Sequence, residues 1–279
     1  MFGHHRRKNS IVAILLVVLA SGLLGLAPNA LKANTATHYL ADGFDYPVGP
    51  PDASGYYKAR GFWPNGHLGE DWNGRNGGNS DEGAPVYSIA HGVVVYSDDF
   101  RAGWGNVIII RHAYREKNGR IYFIDSLYGH LQQRKVRLGA KVMRGEKIGT
   151  IGRGPHNMYY AHLHLEIRKN LALGMQRSKF KQDYSNYHSP THFIAANRRL
   201  RQEFRQYRIP VDTFGTGGTA ADFTQNSISI PKTGRGDMTR PNVPPPVRDV
   251  IDKHGATADP SPLKKFWTGL KKTLGFQKD

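Results

Sequence analysis

The stretch His162-Leu163-His164-Leu165-Glu166-Ile167 decides how this chain is read. Side-chain direction along a β-strand repeats every second residue. His162, His164 and Glu166 therefore share one face, while Leu163, Leu165 and Ile167 share the other and belong in a core. Two imidazoles and a carboxylate on one side of a strand make a set of nitrogen and oxygen donors. Far upstream, His67-Leu68-Gly69-Glu70-Asp71 adds an imidazole and a carboxylate from a loop flanked by Gly66 and Gly74. Three protein ligands with one position left open is the arrangement of a catalytic zinc site.

Outward from that strand, residues 66–170 have the texture of a compact β-domain. Short β-branched or aromatic runs recur between glycines: Pro85–Ile89, Gly92–Ser97, Asn106–His112, Arg120–Tyr128, Lys147–Ile151 and Ala161–Arg168. Val93–Tyr96 and Val107–Ile110 are unbroken apolar runs, as expected of central strands covered on both faces. The fold class is mainly β, an antiparallel sheet. Residues 34–65, rich in Gly, Pro and Tyr, read as an extended lead-in. In residues 171–210, Ser189 and Pro190 are a helix start, and Phe193, Ala196, Leu200, Phe204 and Tyr207 recur at helical spacing. An amphipathic helix flanking the sheet and ending before Pro210 is expected. Residues 211–260, rich in Gly, Thr, Pro and Asp, read as a disordered linker. Residues 261–279 form a basic tail. Within it, Ser261–Phe276 sets Leu263, Trp267, Leu270 and Leu274 among lysines, a pattern suited to an anionic membrane surface, to a partner, or to solvent alone.

Composition narrows the function classes. The 279-residue chain contains no cysteine, which excludes disulfides, thiolate ligands and a cysteine nucleophile, leaving imidazole and carboxylate as the ligand set. A formal charge of +17 means attraction to polyanions. Nucleic acid and anionic envelope polymers satisfy that physics equally, and the N-terminus separates them. Basic residues His4 to Lys8 precede an apolar run, Ile11–Ala27, in the order of an export signal. Residues 1–33 read as a signal peptide or a retained membrane anchor. Either places the remainder outside the cytoplasm, periplasmic, secreted or anchored facing the wall, where nucleic acid is not the expected partner.

The motifs then fall into a familiar order. His-x-Gly-x-Asp at 67–71, Gly-Asn-x-x-x-Ile-x-His at 105–112, Tyr-Gly-His-Leu at 128–131 and His-Leu-His-x-Glu at 162–166 resemble the lysostaphin-type, LytM-like zinc metallopeptidases, which are peptidoglycan endopeptidases. The resemblance covers Gly66 to Lys169. It implies a small antiparallel β-fold with a groove and hydrolysis of peptide bonds in cell-wall stem peptides or cross-bridges. It assigns His67, Asp71 and His164 as ligands of one Zn²⁺, and His130 and His162 as the catalytic imidazoles. Zinc lowers the pKa of bound water to about 7, and no His-Glu-x-x-His glutamate is present, so an imidazole of pKa roughly 6.5 is the natural base. One of His130 and His162 is that base. The other stabilises the oxyanion and helps the amine depart.

Around this centre, Glu166 either holds an imidazole or pairs with Arg168 or solvent. Asn106 either fixes a turn or bonds substrate, and Tyr159 and Tyr160 line the groove or pack. Glu70 is expected to face solvent and His112 to be structural. The loop Gly152–Ala161 departs from the family pattern and borders the groove, so it bears on substrate preference. Two rival readings stand beside the enzyme: a non-catalytic wall-binding or regulatory member of the same family, and a polyanion binder whose histidines are incidental.

Overall fold

The computed structural model describes residues 34–201, 203 and 205–215. In chain order the strands are β1 (Thr35–Tyr39), β2 (Tyr56–Arg60), β3 (Glu70–Gly74), β4 (Pro85–Tyr87), β5 (Gly92–Asp99), β6 (Asn106–Arg115) and β7 (Ile121–Arg134). They continue with β8 (Lys141–Val142), β9 (Lys147–Ile151), β10 (Leu163–Arg168), β11 (Tyr187–His188) and β12 (Gln206–Pro210). One α-helix, α1 (Pro190–Ala196), precedes β12 among the described residues.

The runs read as strands are strands, and the sheet is antiparallel throughout. Its path is β2-β3-β10-β7-β6-β5-β8, with β11 beside β10, β9 beside β7 and β4 beside β9. Val93–Val95 and Val107–Ile110 are buried, as central strands with both faces covered should be. The main core gathers Val94, Ile108, Ile110, Tyr128, Leu163, Leu165 and Ile167 on one face. Val95, Val107, Ile109 and Leu127 form a second cluster. In β10 the leucines face the core, leaving the alternate positions to polar groups.

Three expectations are corrected. Residues 34–65 are not a bare lead-in: β1 pairs with β12, and β2 joins the main sheet beside β3. The helix begins at Pro190 as expected but ends at Ala196 instead of continuing toward Pro210. Asn197 caps it by donating Nδ2 to the Phe193 carbonyl. Beyond it, Arg198 binds Asp45 and Asp52, and the Leu200 amide donates to the Asp42 carbonyl. These long-range contacts override the helical spacing, and Tyr207 and Ile209 instead alternate inward along β12. Residues 211–215, read as the start of a linker, are ordered into the fold, and Thr213 is fully buried. The rest of 216–260, the tail 261–279 and the segment 1–33 lie outside the described residues. Among the described residues no helix is long and apolar enough to cross a membrane.

Candidate metal centre

Strand register builds the centre. His164 on β10 lies opposite Asp71 on β3 on one side and opposite Gly129 on β7 on the other. One row across three strands therefore holds a carboxylate, an imidazole and the residue before His130. His67 enters from the loop before β3, held by an antiparallel bridge between Trp63 and His67. Gly69 is required by closeness: a Cβ there would sit 2.8 Å from His164 Nε2 and 2.4 Å from the Leu165 carbonyl.

Three atoms converge. His164 Nδ1 is 2.8 Å from Asp71 Oδ1, His67 Nε2 is 3.0 Å from the same oxygen, and the two imidazole nitrogens are 3.1 Å apart. They form a buried group with metal-ligand spacing. The far side of each ring is committed. His67 Nδ1–H donates to the Gly61 carbonyl at 2.8 Å, and His164 Nε2–H donates to Glu166 Oε1 at 3.2 Å. With those outer bonds made and no proton between the rings, both inward nitrogens carry lone pairs that face a carboxylate oxygen. Three acceptors aimed at one another in a buried place require a cation.

The electrostatics agree. Burial opposes charge on His164, but its hydrogen bonds to Asp71 and Glu166 push its pKa up to about 9. Burial would also raise Asp71, yet the hydrogen bonds from His164 and His67 hold it well below the usual carboxylate range. Without a metal, a proton fills the place that a cation of higher charge suits better. Two imidazoles and one carboxylate are a borderline donor set that fits zinc.

His162 and His130 stand beside this group. His162 Nδ1–H donates to the Tyr160 carbonyl at 2.8 Å, and its Nε2 is 3.8 Å from Asp71 Oδ1. His130 lies in β7 with φ 60°, a left-handed conformation costing about 1–2 kcal/mol, which turns its ring into the site. Its Nδ1–H donates to the Trp104 carbonyl at 3.2 Å. The two rings are 4.8 Å apart. Burial lowers both pKa values, that of His130 well below the ordinary range, with repulsion from His162 and His164 adding to it. Both are thus neutral at pH 7, with the lone pair on Nε2.

The surrounding residues sort clearly. Glu166 does both things expected of it: Oε1 holds His164, and Oε2 accepts from Arg168 Nε at 2.6 Å. Burial would raise its pKa, but Arg168 and His164 hold it down to about 2. Asn106 is spent on structure. Its Nδ2 donates to the Leu131 and Gln132 carbonyls across the β6–β7 bulge, and its Oδ1 accepts from Arg134. Tyr159 lies 4.8 Å from the His130 ring and 5.8 Å from His162, whereas Tyr160 is 57% exposed. His112 is buried and neutral, donating Nδ1–H to the His91 carbonyl.

Glu70 is corrected: it is fully buried, not solvent-facing. It accepts from the Thr191 amide at 3.1 Å and from Thr191 Oγ1 at 2.6 Å, so it caps the start of α1, which Ser189 does not do with its own side chain. Sequence reasoning missed Trp104, whose ring stacks with His130 at 6.0 Å and meets His164 edge-on at 5.3 Å. It also missed Arg60, whose Nη1 lies 3.4 Å from Asp71 Oδ2. A tryptophan between glycines in a β-turn region is the signal that was available for the first. Arg60 has none, because it comes from a strand outside the motifs.

The fold and centre define the class: the chain belongs to peptidase family M23, whose sequence pattern matches residues 67–176. Lipoprotein NlpD of Yersinia enterocolitica is 36% identical over 86 residues, covering 31% of this chain and 78% of that protein. Peptidoglycan DD-endopeptidase ShyC of Vibrio cholerae is 35% identical over 88 residues, covering 32% of this chain. Cell division protein DipM of Caulobacter vibrioides is 30% identical over 87 residues, covering 31% of this chain. Those matches span only 18% of ShyC and 13% of DipM. Among solved structures, a zinc-containing peptidase from Vibrio cholerae is 28% identical with a TM-score of 0.32, covering 46% of this chain and 37% of its own. Lysostaphin from Staphylococcus simulans is 24% identical with a TM-score of 0.33, covering 50% and 48%.

Proposed function

We propose that this chain is an exported zinc endopeptidase that hydrolyses peptide bonds in peptidoglycan. The observation that carries the reading is the convergence of His67 Nε2, Asp71 Oδ1 and His164 Nδ1, three lone-pair atoms whose rings are locked from behind. Family membership and the relative named a peptidoglycan DD-endopeptidase support the substrate class. The basic N-terminal segment followed by Ile11–Ala27 supports export, and the +17 charge favours residence at an anionic envelope.

His67, Asp71 and His164 would hold the zinc, which when bound supplies Lewis acidity toward water and the scissile carbonyl. The remaining steps belong to the protein. Arg60 holds the second oxygen of Asp71, so the carboxylate presents Oδ1 inward. His162 accepts the proton of the attacking water at Nε2, and the nearby Asp71 charge stabilises the imidazolium that results. That proton passes to the departing amine. His130 accepts a hydrogen bond from the same water at Nε2 and orients it. While neutral it offers an acceptor there, so it stabilises an oxyanion only after gaining a proton.

The test is metal content and release of soluble fragments from purified peptidoglycan, with and without chelator. Chelator-sensitive release with one zinc per chain supports the reading. Full zinc occupancy without release favours the non-catalytic family member, and cleavage indifferent to chelator removes the zinc mechanism.

A further inference from the structure

Arg153 and Arg177 differ from every other partly or fully buried arginine among the described residues. The others each pair with a carboxylate. These two do not, and both flank the imidazole cluster. Arg177, in the short 3-10 turn Arg177–Lys179 after β10, lays its guanidinium over the Trp104 ring, 5.5 Å from the centroid. That same ring stacks with His130 and touches His164. Arg153, between β9 and β10, donates Nε to the Tyr159 carbonyl at 3.1 Å, and the Tyr159 ring packs on His130 and His162.

The Arg177 guanidinium is thus one aromatic ring away from the catalytic imidazoles, and that of Arg153 is tied to the backbone of the residue whose ring packs on them; the two come from opposite ends of β10. A partly desolvated cation without a counter-charge is costly unless an anion arrives to meet it. The site's own carboxylates do not fill that role. Asp71 is engaged by His67, His164 and Arg60, and Glu166 by His164 and Arg168. Stacking on Trp104 fixes the plane of Arg177 while its N–H edge stays available for the two-pronged grip arginine gives a carboxylate.

We propose that Arg153 and Arg177 form an anion-binding subsite that recognises a free carboxylate of the substrate close to the scissile bond. The inference rests on the endopeptidase reading and narrows it. The substrate is a stem peptide, whose residues carry free carboxylates, and not a glycyl cross-bridge, which carries none along its length.

Three substrates test it on the zinc-loaded full chain: a cross-linked stem-peptide dimer with free carboxylates, the same dimer amidated, and pentaglycine. The free-acid dimer should be cleaved with a kcat/KM about tenfold above the amidated one, the scale of one charge-assisted hydrogen-bonding contact. Arg177→Gln and Arg153→Gln should each lose most of that preference through KM. Arg208→Gln, an exposed position on β12, should keep it and so controls for net charge. Equal cleavage of free and amidated dimers, or an undiminished preference in both variants, overturns the subsite while leaving the endopeptidase reading intact. If no substrate is cleaved, that reading fails instead, and calorimetric binding of the two dimers judges the subsite. Tighter binding of the free acid that Arg177→Gln removes supports it, and equal binding overturns it.

Discussion

Two buried polar clusters on the same sheet have opposite characters. Arg111 and Asp125 face each other across β6 and β7 with two contacts of 2.7 Å, and both are buried. The other guanidinium hydrogens go to the Pro210 and Leu171 carbonyls and to Thr213 Oγ1. Donors meet acceptors and charge meets charge. In the cluster of His67, Asp71 and His164, also buried, acceptor faces acceptor once no proton lies between them, and the rings' donors are turned away to Gly61 and Glu166. A closed cluster holds a fold together, whereas one left short of a cation is a place built for something that arrives. The contrast separates structure from function without appeal to any relative.

The largest expected effect breaks the open cluster alone. Asp71→Ala should abolish stoichiometric zinc and lower peptidoglycan cleavage by about a thousandfold or more, while circular dichroism stays native. Undiminished cleavage in that variant would remove the assignment. In the closed cluster the same kind of truncation should act on stability. Asp125→Ala strands the buried Arg111 charge and should cost about 3–5 kcal/mol, a fall of roughly 10 °C in melting temperature, with zinc content per folded chain unchanged. Glu166→Gln sits between the two, because it touches both His164 and Arg168. It should weaken zinc binding about 10- to 100-fold, measured by competition with a chelating dye.

How far this contrast could be read from sequence depends on chain distance. The alternation in Leu163, Leu165 and Ile167 and the apolar runs in β5 and β6 are local signals, and they place the strands and the side of β10 that carries His164. The His67–Asp71 spacing is also local, so the membership of the open cluster was legible. Glu70 was not, because its partner Thr191 lies on the far side of the chain, and a carboxylate next to a ligand looks solvent-facing until α1 is docked against it. Residues 197–210 failed for the same reason. Their apolar spacing fits a helix, but Arg198 and Leu200 are claimed by Asp45 and Asp42, and β12 by β1. Arg111 falls on an unspecified position of the 105–112 motif, and its acceptors come from three separate segments, so nothing local marks it.

The smallest expected effect concerns a third buried polar group, which sharpens the contrast by having no charge to satisfy. His112 sits between the His91 carbonyl and Ser126 Oγ, with Phe44 against its ring. Burial pushes its pKa down to about 3. The unfolded chain, with an imidazole near 6.5, therefore binds the proton more readily than the folded one. Stability from this group is fully present above pH 6.5 and is lost as pH falls toward the folded value. Between pH 6.5 and 5 the loss should be about 2 kcal/mol. His188, pushed down to about 4 by burial, adds to the same acid limb. His112→Gln should flatten part of that limb in a plot of melting temperature against pH, without moving zinc content at pH 7. An unchanged slope would mean that His112 is not held neutral, and that this cluster is less closed than its hydrogen bonds imply.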